Sequence, residues 1–342
     1  MYQLLVHPKA RSTFEDVPSF SQQHVLHIND QFDQNFLDRL LEKGTPRCII
    51  SDHYIKTEYN GVEIIGLPLW LEQQVKFITK DLCWNEKINT DFAFNFMINK
   101  KQINRFLCIK LVELFQLTDF DYTWSAVDPT FNMSHVINEL NDLGPKSPLD
   151  SASRSFILQA IQVPKRWVDH VNQMVENSAF SRYGGNAWTW KNGLDKMFSH
   201  SAVSLITESA RTEKVSIFTE KTIYAVLGLT FPIWVGGYEQ AKEWADIGFD
   251  TFDDIIDHSY QSYDTLIERC YYAFANNLHL LSDIDQLREL RLQNKQRLLK
   301  NRELLLNNRL GQYVDEQIAT LPIDLQQIML ELINHFRYPG AK

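Results

Sequence analysis

Short apolar runs alternate with amphipathic helical stretches in two long parts of this chain, and that rhythm dictates an α/β architecture. In the first part, "YQLLVHP" (2–8) and "HVLHIND" (24–30) read as strands. "DQNFLDRLLEKG" then sets Phe36, Leu37, Leu40 and Leu41 on one helical face and stops at Gly44. Cys48 to Ser51 of "PRCIISDHY" form a further buried strand, and "GVEIIGLPLWLEQQVKFI" adds a strand and a helix. The second part begins at "DFAFNFMIN" (91–99), an extended aromatic run. It enters a helix striped with Ile103, Phe106, Leu107, Leu111 and Leu114, and a strand over 120–127 follows. From His200 the order is strand "SAVSLITES", helix "TEKTIYAVLGL", strand "FPIWVGG", then helix "EQAKEWADIG" stopped by Gly248. Strands separated by single helices imply parallel sheets.

The remainder is less regular. Residues 128–199 carry the loop-like "LGPKSPLDS" and "SRYGGNAW" and are expected to be an irregular insertion. Beyond Leu281 the chain is rich in Leu, Arg, Lys and Gln, and is expected to be one long amphipathic helix broken near Gly311. The expected domains are an α/β domain over 1–90, a Rossmann-like domain over 91–280 with its insertion around 128–199, and a helical tail over 281–342.

Composition narrows the class of protein. With 342 residues, 44% hydrophobic and 23% charged, the chain is long enough for two ordinary domains. Lys and Arg number 34 against 43 Asp and Glu, a net charge of -9, which disfavours a wrapped nucleic acid unless a local basic patch forms. Four scattered cysteines with no CxxC pair read as reduced thiols rather than as disulfides or a zinc site. Ten histidines include no HxxxH or HExxH spacing, so no metal is expected. No apolar run approaches the ~20 residues that span a bilayer, and the N-terminus lacks a signal-peptide design. The expected location is the cytoplasm of the producing cell.

In open α/β sheets ligands bind beyond the carboxyl ends of the strands, so the junctions at 99–105 and 207–221 matter most. Helix N-termini there offer free N–H groups and a positive dipole end to an anion. Glu208 and Ser209 end one strand; Thr219, Glu220 and Lys221 open the following helix; Pro232, Ile233 and Gly236 mark the next strand. With "GFDTFDDI" behind them, these blocks resemble the nucleotide-sugar domain of the α1,3-fucosyltransferases and the looser fucosyltransferase-like proteins of bacteria and tailed phages. That family carries a Glu-Asn-Ser-like strand end, a Val-Thr-Glu-Lys helix start and a Pro-Ile-x-x-Gly strand. It also carries an Asn after an earlier strand with an Arg shortly beyond, matched by Asn99 and Arg105. The resemblance covers 91 to about 264 in two pieces. The Asn of the Glu-Asn-Ser motif is not kept: Thr207 and Ser209 flank Glu208.

The resemblance implies a GT-B-like fold, two Rossmann-like domains facing a cleft, and an inverting glycosyltransferase. Its co-substrate is a nucleoside-diphosphate sugar, GDP-fucose or a related GDP-sugar first, and it needs no metal and no further cofactor. Asn99, Arg105, Glu208, Ser209, Thr219, Glu220 and Lys221 would form the donor site. The residue chemistry agrees with that assignment. Arg105 supplies a planar fork of donors and Lys221 a point charge for a diphosphate leaving group. Glu220 accepts from ribose hydroxyls, and Glu208 either binds sugar hydroxyls or supports Lys221. Single displacement requires a base on the acceptor side. Asp52, at the end of a buried strand, is the choice, with His53, Glu58 and Glu63 as the other candidates.

The acceptor is expected to be a glycan. Sugar transfer to a hydroxymethylated pyrimidine of phage DNA is the alternative, and it requires Lys100, Lys101, Lys165 and Arg166 to gather on one face. A non-catalytic nucleotide-sugar-binding module is the rival from another class. Charged first turns are also common on solvated helices, and Trp188 and Trp190 suit either a sugar platform or a core.

Overall fold

The computed structural model describes residues 3–7, 19, 21–28, 34–51, 57–79, 87–98, 103–124, 134–142, 147, 149–162, 194–208 and 216–337. The fold is mixed α/β, with two small, mainly parallel sheets flanked by helices. Two compact units divide the chain: one draws on 1–77, 216–218 and 305–342, the other on 78–215 and 219–304.

The first unit holds strands β1 (Gln3–His7), β2 (His24–Ile28), β3 (Cys48–Ser51), β4 (Thr57–Tyr59) and β5 (Val62–Gly66) in the order β1-β2-β3-β5-β4. Helix α1 (Gln34–Leu41) links β2 to β3, as its apolar stripe requires. Strand β4 is antiparallel to β5. Sequence reading misses this hairpin, although Asn60-Gly61 signals it. Both residues have positive φ (49° and 74°), as a two-residue type I′ turn demands. Helix α2 (Leu69–Thr79) follows β5. Val25, Cys48, Ile50 and Ile65 of the sheet share a core with Val314, Ile318, Leu325, Met329 and Ile333. Those last residues belong to the C-terminal helices described below.

The second unit holds β6 (Phe92–Ile98), β7 (Phe120–Trp124), β8 (Ser201–Ile206) and β9 (Phe231–Trp234), all parallel, in the order β7-β6-β8-β9. Helix α3 (Ile103–Leu114) carries the chain from β6 outward to β7. Between β7 and β8 lie α4 (Ser134–Asp142), α5 (Ser151–Gln162) and α6 (Asp195–Ser199), so the described part of the expected irregular insertion is helical. Helix α7 (Glu220–Leu227) then carries the chain from β8 outward to β9, in the opposite direction. The strand order therefore reverses between β6 and β8. Pro232 fits because β9 is an edge strand of this sheet. Phe94 stacks on Phe120 at 5.4 Å and Phe96 on Tyr122 at 5.6 Å, an aromatic ladder across β6 and β7.

Helices α8 (Gln240–Ile247), α9 (Leu266–Ala275), α10 (Leu278–Leu281), α11 (Ile284–Gln293), α12 (Lys295–Leu306), α13 (Arg309–Ala319) and α14 (Ile323–Arg337) complete the chain. The expected single long helix is thus several. Its break falls at Asn308, in left-handed conformation with φ 60°, while Gly311 lies inside α13. The segment expected as a tail is also shared out. Leu287 and Leu298 belong to the core of the second unit, and Val314 to Ile333 to that of the first. Arg291 of α11 is fully buried. It donates to the carbonyls of Leu229 (2.9 Å), Gly228 (2.8 Å), Ser199 (3.0 Å) and Asn89 (2.6 Å), tying the amino edge of the second sheet together. Burial pulls its pKa down to about 9, which still leaves it charged at neutral pH.

Candidate functional site

The reversal between β6 and β8 is where an open parallel sheet leaves a crevice at its carboxyl edge. Two helices begin beside it, α3 after β6 and α7 after β8. Asn104 and Arg105 lie in the first turn of α3, and Glu220 and Lys221 in that of α7. The ends of the two central strands are held in register by Thr207, whose Oγ1 donates to the carbonyl of Met97 at 2.9 Å.

Arg105 is 2% exposed. Its Nε donates to the carbonyl of Thr207 at 3.2 Å, and its two terminal nitrogens have no partner among the described residues. Burial lowers its pKa, and Glu208 and Glu220 oppose that fall. Lys221 is 5% exposed. Its Nζ donates to Glu220 Oε1 at 3.0 Å and to Thr219 Oγ1 at 3.3 Å. Burial alone would raise the Glu220 carboxyl. The Lys221 ammonium, with a weaker contribution from Arg105, outweighs burial and lowers it.

Both cations stand against the helix dipole, although Glu220 pairs with Lys221 and both Glu208 and Glu220 favour charged Arg105. A positive charge in a first helical turn faces the positive end of the helix dipole and destabilises the helix. Each also loses its hydration on burial. Helix formation alone explains neither residue, which makes this junction the candidate site.

Glu208, expected either to bind sugar hydroxyls or to support Lys221, is turned inward. It is 1% exposed, and both carboxylate oxygens are engaged inside the protein. Oε1 accepts from the backbone N–H of Thr219 and from Thr222 Oγ1, each at 2.8 Å; Oε2 accepts from the hydroxyl of Thr219. Thr222 in turn accepts from Trp234 Nε1 of β9 at 3.0 Å. Glu208 therefore fills the position at the start of α7 that an external anion would otherwise take. It grips Thr219, the N-cap of α7, rather than presenting its oxygens to a sugar. Burial raises its pKa, Lys221 pulls it down, and Glu220 pushes it up again.

Three participants escape the sequence reading. Asn104 donates from Nδ2 to the carbonyls of Glu208 (2.9 Å) and Val235 (3.4 Å), stitching α3 to the ends of β8 and β9. Its Oδ1 is buried without a partner among the described residues. Thr222 and Trp234 make the relay just described. The available signal was a polar residue inside an otherwise apolar run, as Asn104 is in "INRFLCI" and Thr222 in "TEKTIYAV". Gly236 also belongs here. With φ 81° it brings backbone so close that a Cβ would lie 2.7 Å from Leu266 Cδ1 and 3.3 Å from Asn104 Cβ.

Of the expected donor-site residues, the structure thus brings together Arg105, Glu208, Thr219, Glu220 and Lys221. Asn99 and Ser209 lie outside the described residues, as do Asp52, His53, Trp188, Trp190, Lys100, Lys101, Lys165 and Arg166. The acidic "GFDTFDDI" segment is bound by Arg297 of α12, whose guanidinium reaches Asp250 (2.7 Å) and Asp254 (2.8 Å) and lies 4.8 Å over the Phe252 ring. Among the described residues no His, Cys, Asp or Glu side chains group as metal ligands, and no helix is long and apolar enough to cross a membrane.

No protein-family model matches the chain, and neither a curated protein nor a solved structure matches it.

Proposed function

We propose that this protein is an inverting, nucleotide-sugar-dependent glycosyltransferase with a GT-B-like fold. The second unit holds the donor and the first serves the acceptor. One observation carries the reading: Arg105 and Lys221, two buried cations each opposed by a helix dipole, act on the same two carboxylates, Glu208 and Glu220, beside the point where the strand order reverses. A diphosphate is the ligand that rewards such an arrangement. Arg105 offers as a fork its terminal nitrogens, which have no partner among the described residues, and Lys221 exchanges its contact with Glu220 for a phosphate oxygen. Glu220, freed of that contact, accepts from the ribose hydroxyls.

The chemistry follows from the charge. As the glycosidic bond breaks, negative charge grows on the leaving diphosphate, and fixed cations in a dry site stabilise it. Asp52 takes the proton of the attacking acceptor hydroxyl, and a glycan is the acceptor. GDP-fucose or a related GDP-sugar is the donor, on the strength of the sequence resemblance.

A panel of sugar nucleotides tests this directly. One member is expected to raise the melting temperature of the protein, and Lys221→Ala to abolish that rise. Asp52→Asn is expected to keep the rise and lose transfer. A panel in which no compound shifts melting rejects the donor site, and unchanged turnover in Asp52→Asn rejects that base.

A further inference from the structure

Glu208 sits inside a site assigned to an anion, and the hydrogen bonds around it show how the two can coexist. Among the described residues the ionisable groups acting on its carboxyl are Lys221 and Glu220 from α7 and Arg105 from α3; β9 adds the Trp234 indole through Thr222. With both carboxylates ionised, two cations face two anions among these residues. A bound diphosphate adds at least two negative charges to a water-poor pocket, where like charges repel strongly. A guanidinium keeps its charge, so Arg105 cannot relieve this; Glu220, once Lys221 has turned to the phosphate, accepts from the ribose hydroxyls, which favour its ionised form. The group left to respond is Glu208.

The geometry points to Glu208 as a proton-carrying positioning residue: it takes up one proton when the anion binds, and passes the effect to the ligand through Thr219. The inference rests on the diphosphate reading above. In the ligand-free protein the hydroxyl of Thr219 is spent on Glu208 Oε2. When that oxygen carries a proton it donates to Thr219 Oγ1 instead. The Thr219 hydroxyl hydrogen is then released to point at the anion, beside Lys221 Nζ, which already lies 3.3 Å from Thr219 Oγ1. Thr222 Oγ1 and the Thr219 N–H still hold the other carboxyl oxygen, so the start of α7 stays in place. One proton from solvent removes a competing charge and supplies a hydrogen-bond donor. Lys221 Nζ leaves Thr219 Oγ1 for the anion in the same event, so that this oxygen accepts only from the Lys221 N–H and from Glu208. The depth of the site favours this, since burial already biases Glu208 toward its neutral form.

Titration calorimetry on the full chain tests the inference, with the sugar nucleotide that raises melting most as probe. Its diphosphate is esterified at both ends, so the probe lacks the phosphate ionisation near pH 6 that a free nucleotide would add. Measurements at one pH in two buffers of different ionisation enthalpy count the protons exchanged. Wild type is expected to take up as much as one proton per ligand. Its affinity should rise as pH falls, by up to about tenfold per pH unit across the window. Glu208→Gln, a fixed mimic of the neutral carboxyl, is expected to bind with no proton uptake and little pH dependence. Thr219→Val is expected to weaken binding at least tenfold, with Thr219→Ser restoring it. Wild type that binds with no proton exchanged overturns the inference and leaves the diphosphate site standing. A panel in which nothing binds overturns both.

Discussion

Single residues in this protein are informative where they break a local rule. Arg105 and Lys221 do so at helix starts; His258 does so by burial. Its Nε2 donates to the carbonyl of Thr251 at 3.1 Å, its ring lies 5.6 Å from that of Trp234, and Nδ1 has no partner among the described residues. Burial lowers its pKa below 6.5, outweighing the Thr251 carbonyl and the carboxylates of Asp253 and Asp257. The unfolded chain therefore binds a proton at His258 that the folded chain refuses. Its contribution to stability is complete above pH 6.5 and is lost as pH falls toward the folded value, at up to about 1.4 kcal/mol per pH unit. Melting temperatures between pH 7.5 and 5 should fall more steeply for wild type than for His258→Asn; equal slopes would refute this. Charged residues framed by apolar ones, such as Glu220 and Lys221, are legible in the amino-acid sequence by themselves. The work of Glu208 is not, because its burial depends on where Thr219 and Thr222 arrive eleven and fourteen residues later.

At the scale of elements, turns decide how closely two segments approach. Gly236 and Gly61 both have positive φ, yet they differ in surroundings. A Cβ on Gly61 meets nothing within 4 Å, whereas one on Gly236 meets Leu266 Cδ1 at 2.7 Å and Cys270 Sγ at 3.0 Å. Gly61→Ala should cost about 1 kcal/mol, backbone strain alone. Gly236→Ala should cost about 2–4 kcal/mol, strain plus overpacking. Denaturant midpoints measured at unchanged slope compare the two, and equal losses would contradict the crowding at Gly236. The strands other than β4, and the helices α1, α3 and α7, are readable because apolar period and end signals coincide in them. The helices of 134–162 are not, since Pro and Ser around "LGPKSPLDS" mask short helical pieces. The sequence also points to Gly311 for the break after α12, which falls earlier in the chain. Gly is the usual breaker, but here Asn308 takes the left-handed conformation and its side chain lies where a Cβ of residue 311 would go, 2.3 Å from Nδ2. A Cβ there would have to turn the Asn308 side chain aside, so Gly311 marks packing within a helix and not its end.

At the scale of the whole molecule, two cores are built from an interleaved chain. Met329 is 1% exposed in the core that contains Val25, Cys48 and Ile50. Met329→Asp places a carboxylate there with no partner, and should strip hydrogen-exchange protection from β2, β3 and β5 while β6, β8 and β9 keep theirs. Uniform loss across both sheets would show that the two cores unfold as one. That residues 305–337 finish the first core is not legible in the sequence. An amphipathic helix shows that it has a partner without showing which one. The interleaving also orders events on the ribosome. The strands of the first sheet emerge before those of the second, but Leu325, Met329 and Ile333, which cover them, are synthesised after both sheets. The second core has all its strands long before that, so the later-made half of the protein is the first able to fold. The early strands must wait, with their apolar face open, for the chain to return to them.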